Sequence, residues 1–218
     1  MDNLKYKEFY TRNLPHFQPE NAVFAVTFRL AFSLPYKIKE KLKEEKKEFE
    51  RISSSLTGSE LQVYIDEFER KYFEEFDNFL DKYSKSPTWL SIDMVAKEVA
   101  NSIHYLEKQL YDLRAYCIMP NHVHTILQPL KDQNEEFHSL SRIMYSLKRY
   151  TATSCNKLLK RKGQFWHHEN YDHFIRDEKD LAYQLNYLKQ NPVKARLIDK
   201  AQNWKYTWTK ETYDSDFN

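Results

Sequence analysis

Glycine is nearly absent, with Gly58 and Gly163 the only two in 218 residues. A glycine-rich phosphate loop or a dinucleotide-binding fingerprint needs clustered glycines, so neither is expected. Cysteine is as scarce: Cys117 and Cys155 stand far apart and form no C-x-x-C. Both read as reduced packing residues of a cytoplasmic protein. No apolar run reaches membrane length, and the opening MDNLKYKEFY is polar throughout. Neither a signal peptide nor a membrane partner is therefore expected.

A further absence is local. Between Phe137 and His168 there is no Asp or Glu, while Arg142, Lys148, Arg149, Lys157, Lys160, Arg161 and Lys162 all fall there. The chain as a whole carries only +2. A basic stretch in a near-neutral chain fits an anionic partner on one face, or an ordinary solvated helix face. Aromatics make up 16% of the chain, including sixteen tyrosines, which suits an aromatic core or a surface that stacks on bases. The length allows one domain with an elaboration.

Residues 21–30, NAVFAVTFRL, are apolar on both alternating faces, as in a central strand covered on both sides. Residues 36–83 then read as two amphipathic helices. The second carries Leu61, Ile65, Phe68, Tyr72, Phe76, Phe79 and Tyr83 at spacings of three and four. A third helix over 91–109 is followed by two β-rich runs, 111–118 and 122–128, joined by a Pro-Asn turn. A long helix over about 134–159, an extended segment at 165–175, and a helix from Asp177 to about Gln190, broken at Asn191-Pro192, complete the order. This order predicts an α+β fold, a ferredoxin-like sandwich with a central antiparallel sheet covered by helices. The expected organisation is a single domain over 1–218, with 36–83 an inserted helical hairpin.

The run MPNHVHTIL sets His122 and His124 one residue apart in a strand. Strand side chains alternate, so both imidazoles project from one face. Such a pair can share a divalent metal, or it can be two polar residues satisfied by water at a hairpin edge. In the last helix Tyr183, Tyr187 and Asn191 recur every four residues and share a face. A tyrosine stack of this kind is also ordinary half-buried packing.

Four stretches in order resolve the choice: Met119–His124, Gly163–Trp166, Tyr171–Arg176 and Tyr187–Lys194. Together with Arg12-Asn-Leu-Pro-His16 they resemble the single-tyrosine HUH transposases, and most closely the REP-associated tyrosine transposases. The resemblance covers 12–32 and 109–208 and leaves 36–83 unaccounted for. It implies that His122, His124 and Asn191 hold Mg²⁺ or Mn²⁺ and that Tyr187 is the nucleophile. Tyr183 competes for that role, but the offset of Tyr187 to Asn-Pro-Val-Lys matches the family pattern.

The implied reaction is cleavage and rejoining of single-stranded DNA near hairpins through a 5′-phosphotyrosine. The partner would be single-stranded DNA with hairpin structure, and the enzyme a monomer or a homodimer. The seven basic residues would contact the DNA backbone, and Trp166 and Tyr171 would stack on bases. Two rivals are a hairpin-binding module without turnover and a metal-dependent phosphoesterase using a bound water.

Overall fold

The computed structural model describes residues 9–11, 15–83 and 85–213. Strands β1 (Phe9–Thr11) and β2 (Pro15–Phe17) pair as a small antiparallel ribbon. Arg12 to Leu14, from the N-terminal signature, lie outside the described residues. There follow β3 (Val23–Leu30), α1 (Tyr36–Ser53), α2 (Gly58–Lys82), α3 (Asp93–Leu106), β4 (Tyr111–Ile118) and β5 (His122–Pro129). The chain continues with α4 (Leu140–Leu158), β6 (Trp166–Ile175), α5 (Glu178–Lys194) and β7 (Thr207–Thr209).

The main sheet is antiparallel throughout, in the order β6-β3-β5-β4-β7. Its first four strands have the arrangement of the predicted ferredoxin-like sandwich. The three-residue β7, too short to show a period in the sequence, adds an edge beside β4. β5 is the middle strand, flanked by β3 and β4.

Alternation along the strands divides the core. Phe24, Val26, Phe28, Ile118, Val123 and Leu127 point to one face, where Val95, Val99 and Ile103 of α3 and Ile143 and Leu147 of α4 cover them. Ala115, Cys117, Met119, Ile126 and Ile175 point to the other face, against Leu185 and Leu188 of α5. Both cysteines are free and buried, as expected. Among the described residues, no helix is long and apolar enough to cross a membrane.

α1 and α2 lean on one another through aromatic contacts. The Phe49 ring lies 5.7 Å from that of Tyr64 and 4.4 Å from that of Phe68. The predicted stripe Phe68, Tyr72, Phe76 and Phe79 stacks along the length of α2. A second stripe, Phe73, Asp77 and Leu80, is the buried one. Asn121 ties this end of α2 to the sheet, its Nδ2 donating at 2.8 Å to both the Leu80 carbonyl and Ser86 Oγ.

Two helix boundaries differ from the expected ones. Instead of starting near Asn134, α4 starts at Leu140, capped by Ser139, because Asp132 Oδ1 accepts from the amides of Asn134 and Glu136 and closes a turn. α5 runs through Asn191-Pro192 to Lys194 rather than breaking there. Proline forfeits one amide donor, yet the Ala195 amide still reaches the Asn191 carbonyl at 2.8 Å and completes the last turn.

Asn121→Ala would leave the Leu80 carbonyl and Ser86 hydroxyl short of a buried donor. The expected loss is about 2–3 kcal/mol of unfolding free energy in urea titration. A loss within about 0.5 kcal/mol of zero would show that this anchor does not hold α2.

Candidate metal and tyrosine site

β5 places His122 and His124 on the α5 side of the sheet, opposite Arg29 and Thr27 of β3. Second hydrogen bonds set both rings. Asn121 commits its amide nitrogen to Leu80 and Ser86, so its oxygen faces His122 Nδ1 at 2.6 Å and that nitrogen must donate. His124 Nδ1 lies 2.8 Å from Thr27 Oγ1, and its Nε2 is 2.8 Å from the Asn191 Nδ2 donor. Both Nε2 atoms therefore turn lone pairs inward, only 2.9 Å apart.

α2 and α5 complete the site within one chain. Asp77, at the middle of the buried stripe of α2, puts Oδ1 3.3 Å from each Nε2. Its Oδ2 accepts from the Tyr187 hydroxyl at 2.5 Å and from Asn191 Nδ2 at 2.9 Å. Continuing α5 through Pro192 keeps Asn191 one turn below Tyr187 on the same face. Phe73 walls the site, 6.0 Å from the His124 ring and 5.4 Å from that of Tyr187. Asp77, His122 and Asn191 are wholly buried and His124 nearly so.

The charges explain one another. Burial opposes ionisation of Asp77, but positive charge where it meets His124 and His122 outweighs burial and holds the carboxyl well below its usual range. Burial pushes His122 down, favouring its neutral form. Burial and then the Asp77 charge drive the Tyr187 hydroxyl far above the ordinary phenol range. In this state Tyr187 is a bound phenol and not a nucleophile.

A small divalent cation fits this donor set. Asp77, His122 and His124 form a buried group of three possible ligand residues. Ligands at about 2.1 Å around a six-coordinate ion lie about 3 Å from their neighbours, matching separations of 2.9 and 3.3 Å. Asp77 Oδ1 and Asn191 Oδ1 are also buried without hydrogen-bond partners, the condition a cation relieves. Asn191 reaches the cluster but presents its Nδ2, so its amide must turn over for the oxygen to serve as a ligand.

Of the predicted site residues, His122, His124, Tyr187 and Asn191 come together. Tyr183 lies apart from the histidines, exposed, with its hydroxyl donating to Glu74 at 2.8 Å. Arg142, Arg149, Lys157, Lys160 and Lys162 are exposed on or just after α4, across the sheet from the imidazoles. Lys148 instead donates to the carbonyls of His167 and Glu169, and Arg161 stacks over Trp89 at 3.8 Å and bonds Asn156.

Base stacking by Trp166 is corrected. Its ring is buried among Phe28 and Phe165, and its Nε1 donates to Thr151 Oγ1 at 2.8 Å, which makes it a core residue. Tyr171 is largely buried, its ring stacked 4.7 Å from that of Phe73 on α2. Asp77 was missed. The available signal was an acidic residue between Phe73 and Leu80 on a helix face, four residues from one and three from the other.

No family model matches the chain. It is 30% identical over 105 residues to a Haemophilus influenzae protein named as a REP-associated tyrosine transposase, covering 44% of this chain and 58% of the relative. With the REP-associated tyrosine transposase of Escherichia coli it shares 26% over 97 residues, 44% of this chain and 53% of that one. The chain thus spans between half and three-fifths of the curated relatives it matches. A solved structure of a REP-associated tyrosine transposase bound to a REP hairpin superimposes with a TM-score of 0.49 at 14% identity, covering 91% of this chain and 80% of that one. Over these 97 to 105 residues the chain is similar to curated proteins named as REP-associated tyrosine transposases.

Proposed function

We propose that this protein cleaves and rejoins single-stranded DNA beside hairpins, inside the cell, with Tyr187 as nucleophile and Mg²⁺ or Mn²⁺ held by His122, His124 and Asn191. The supporting observation is that one chain brings the Tyr187 hydroxyl, through Asp77, onto the inward nitrogens of both imidazoles. It also favours a monomer as the cleaving unit, in one domain into which 36–83 is inserted.

The Tyr187 oxygen attacks the phosphorus of a phosphodiester. Tyr187 gives up its hydroxyl proton as the Oη–P bond forms, the P–O3′ bond breaks, and the departing strand takes up a proton as a free 3′-hydroxyl, so protons balance overall. Reversal by another 3′-hydroxyl joins strands without a nucleotide cofactor. When bound, the cation supplies Lewis-acid stabilisation of the phosphate charge. Thr27 and Asn121 keep the two imidazoles aimed inward, and Asn191 offers its oxygen once its amide has turned over. α2 covers the buried group, so the scissile phosphate enters when α2 shifts.

The exposed Arg142, Arg149, Lys157, Lys160 and Lys162 bind DNA backbone across the sheet from the cut, where a hairpin stem can dock while its single-stranded flank passes to Tyr187. Lys148 and Arg161 are tied into the fold and serve mainly to shape that surface.

With a labelled hairpin oligonucleotide carrying a single-stranded flank and Mn²⁺, a denaturation-resistant adduct is expected. Tyr187→Phe should abolish it, and His122→Ala should slow it about 100-fold or more. An adduct lost in Tyr183→Phe but kept in Tyr187→Phe would transfer the nucleophile. Cleavage without an adduct would indicate a metal-bound water, and binding without cleavage a recognition module. Replacing Lys157, Lys160 and Lys162 by Gln should weaken hairpin binding and flatten its salt dependence by about 0.9 per lost phosphate contact. An unchanged slope in a filter-binding series would remove these lysines from the interface.

A further inference from the structure

The geometry points to Asp77, carried by the inserted helical pair, as a ligand of the catalytic cation and the residue that holds the Tyr187 hydroxyl in place. The inference rests on the metal and tyrosine roles proposed above. It adds a carboxylate from an element that the family motifs do not include.

Charge is the first argument. Two neutral imidazoles and an amide bring no negative charge, whereas Mg²⁺ and Mn²⁺ are hard cations that favour carboxylate oxygen. Asp77 is the acidic residue whose oxygen meets both Nε2 atoms, at 3.3 Å each. Without it the donor set lacks the ligand type these ions select.

Burial is the second. Asp77 is fully buried, and its Oδ1 has no hydrogen-bond partner. An ionised carboxylate oxygen in that setting costs several kcal/mol unless a cation lies beside it. The two nearest nitrogens turn lone pairs toward it, so a metal ion satisfies all three atoms at once.

The two oxygens of Asp77 divide the labour. Oδ1 faces the imidazoles while Oδ2 accepts from the Tyr187 hydroxyl at 2.5 Å. One rigid carboxylate thus fixes the distance between the cation and the nucleophilic oxygen. The backbone that carries it is anchored by Asn121 at the Leu80 carbonyl, and Asn121 also orients His122. Asp77 and His122 are therefore held by the same side chain, and α2 is part of the catalytic apparatus.

Mn²⁺ titration of the full chain by calorimetry, without DNA, tests the ligand role separately from the transposase reading. Asp77→Asn should weaken Mn²⁺ binding at least about tenfold, while Glu74→Gln, on the outer side of the same helix, should leave it unchanged. At saturating Mn²⁺, Asp77→Asn should still form the tyrosyl adduct at least about tenfold more slowly, because the hydroxyl is no longer held. Unchanged Mn²⁺ affinity in Asp77→Asn overturns the inference. So does a faster adduct, which would make Asp77 a carboxylate that blocks the phosphate site. Should the variant misfold, a wild-type crystal grown with Mn²⁺ decides the matter: an anomalous peak bonded to His122, His124 and Asp77 supports the inference, and a peak with Asp77 turned away overturns it. Mn²⁺ binding that depends on Asp77 in a wild type that forms no adduct would refute the transposase reading and leave the ligand assignment standing.

Discussion

Two imidazole nitrogens facing each other at 2.9 Å, with a carboxylate oxygen 3.3 Å from both, are costly to bury together unless positive charge lies among them. Much of the surrounding structure maintains that arrangement. Asn121 and Thr27 occupy the outer ring nitrogens so that the inner ones face the buried group. Leu185 and Leu188 seat α5 on the sheet, which brings Asn191 and Tyr187 to the same spot. Phe73 and Leu80 seat α2, which brings Asp77.

The central sheet keeps two sets of charged groups apart. One face, packed by α3 and α4, is the larger apolar core and carries the exposed basic residues on its outer helix. The other face holds the polar group between α2 and α5. Segregation of this kind keeps lysines away from a carboxylate and two imidazoles, where their charge would compete with a cation. Trp166, at the start of β6, belongs to the larger core and is held by Thr151.

The α1–α2 pair is more than an appendage. Its aromatic stripe gives it internal packing, while the orthogonal stripe Phe73–Asp77–Leu80 couples it to β5 and α5. A helix that both covers a buried polar group and contributes to it links access to the site with its composition. Any movement of α2 also alters the distance between Asp77 and Tyr187.

Local chemistry was sufficient for much of this. Strand alternation put both histidines on one face, the four-residue spacing aligned Tyr187 with Asn191, and apolar periodicity gave the helices and their order. Those relations lie within one element, where backbone geometry alone relates neighbours. Tertiary structure decided what they meet. The continuation of α5 through Pro192, the burial of Trp166 and Tyr171, the capture of Lys148 and Arg161 by backbone carbonyls and rings, and the arrival of Asp77 all depend on packing between distant segments. Asp77 shows the reason most plainly. It is separated from His122 by 45 positions, and an acidic residue on a helix has the same local pattern whether it faces water or a pair of imidazoles. Only the docking of α2 against β5 and α5 distinguishes the two.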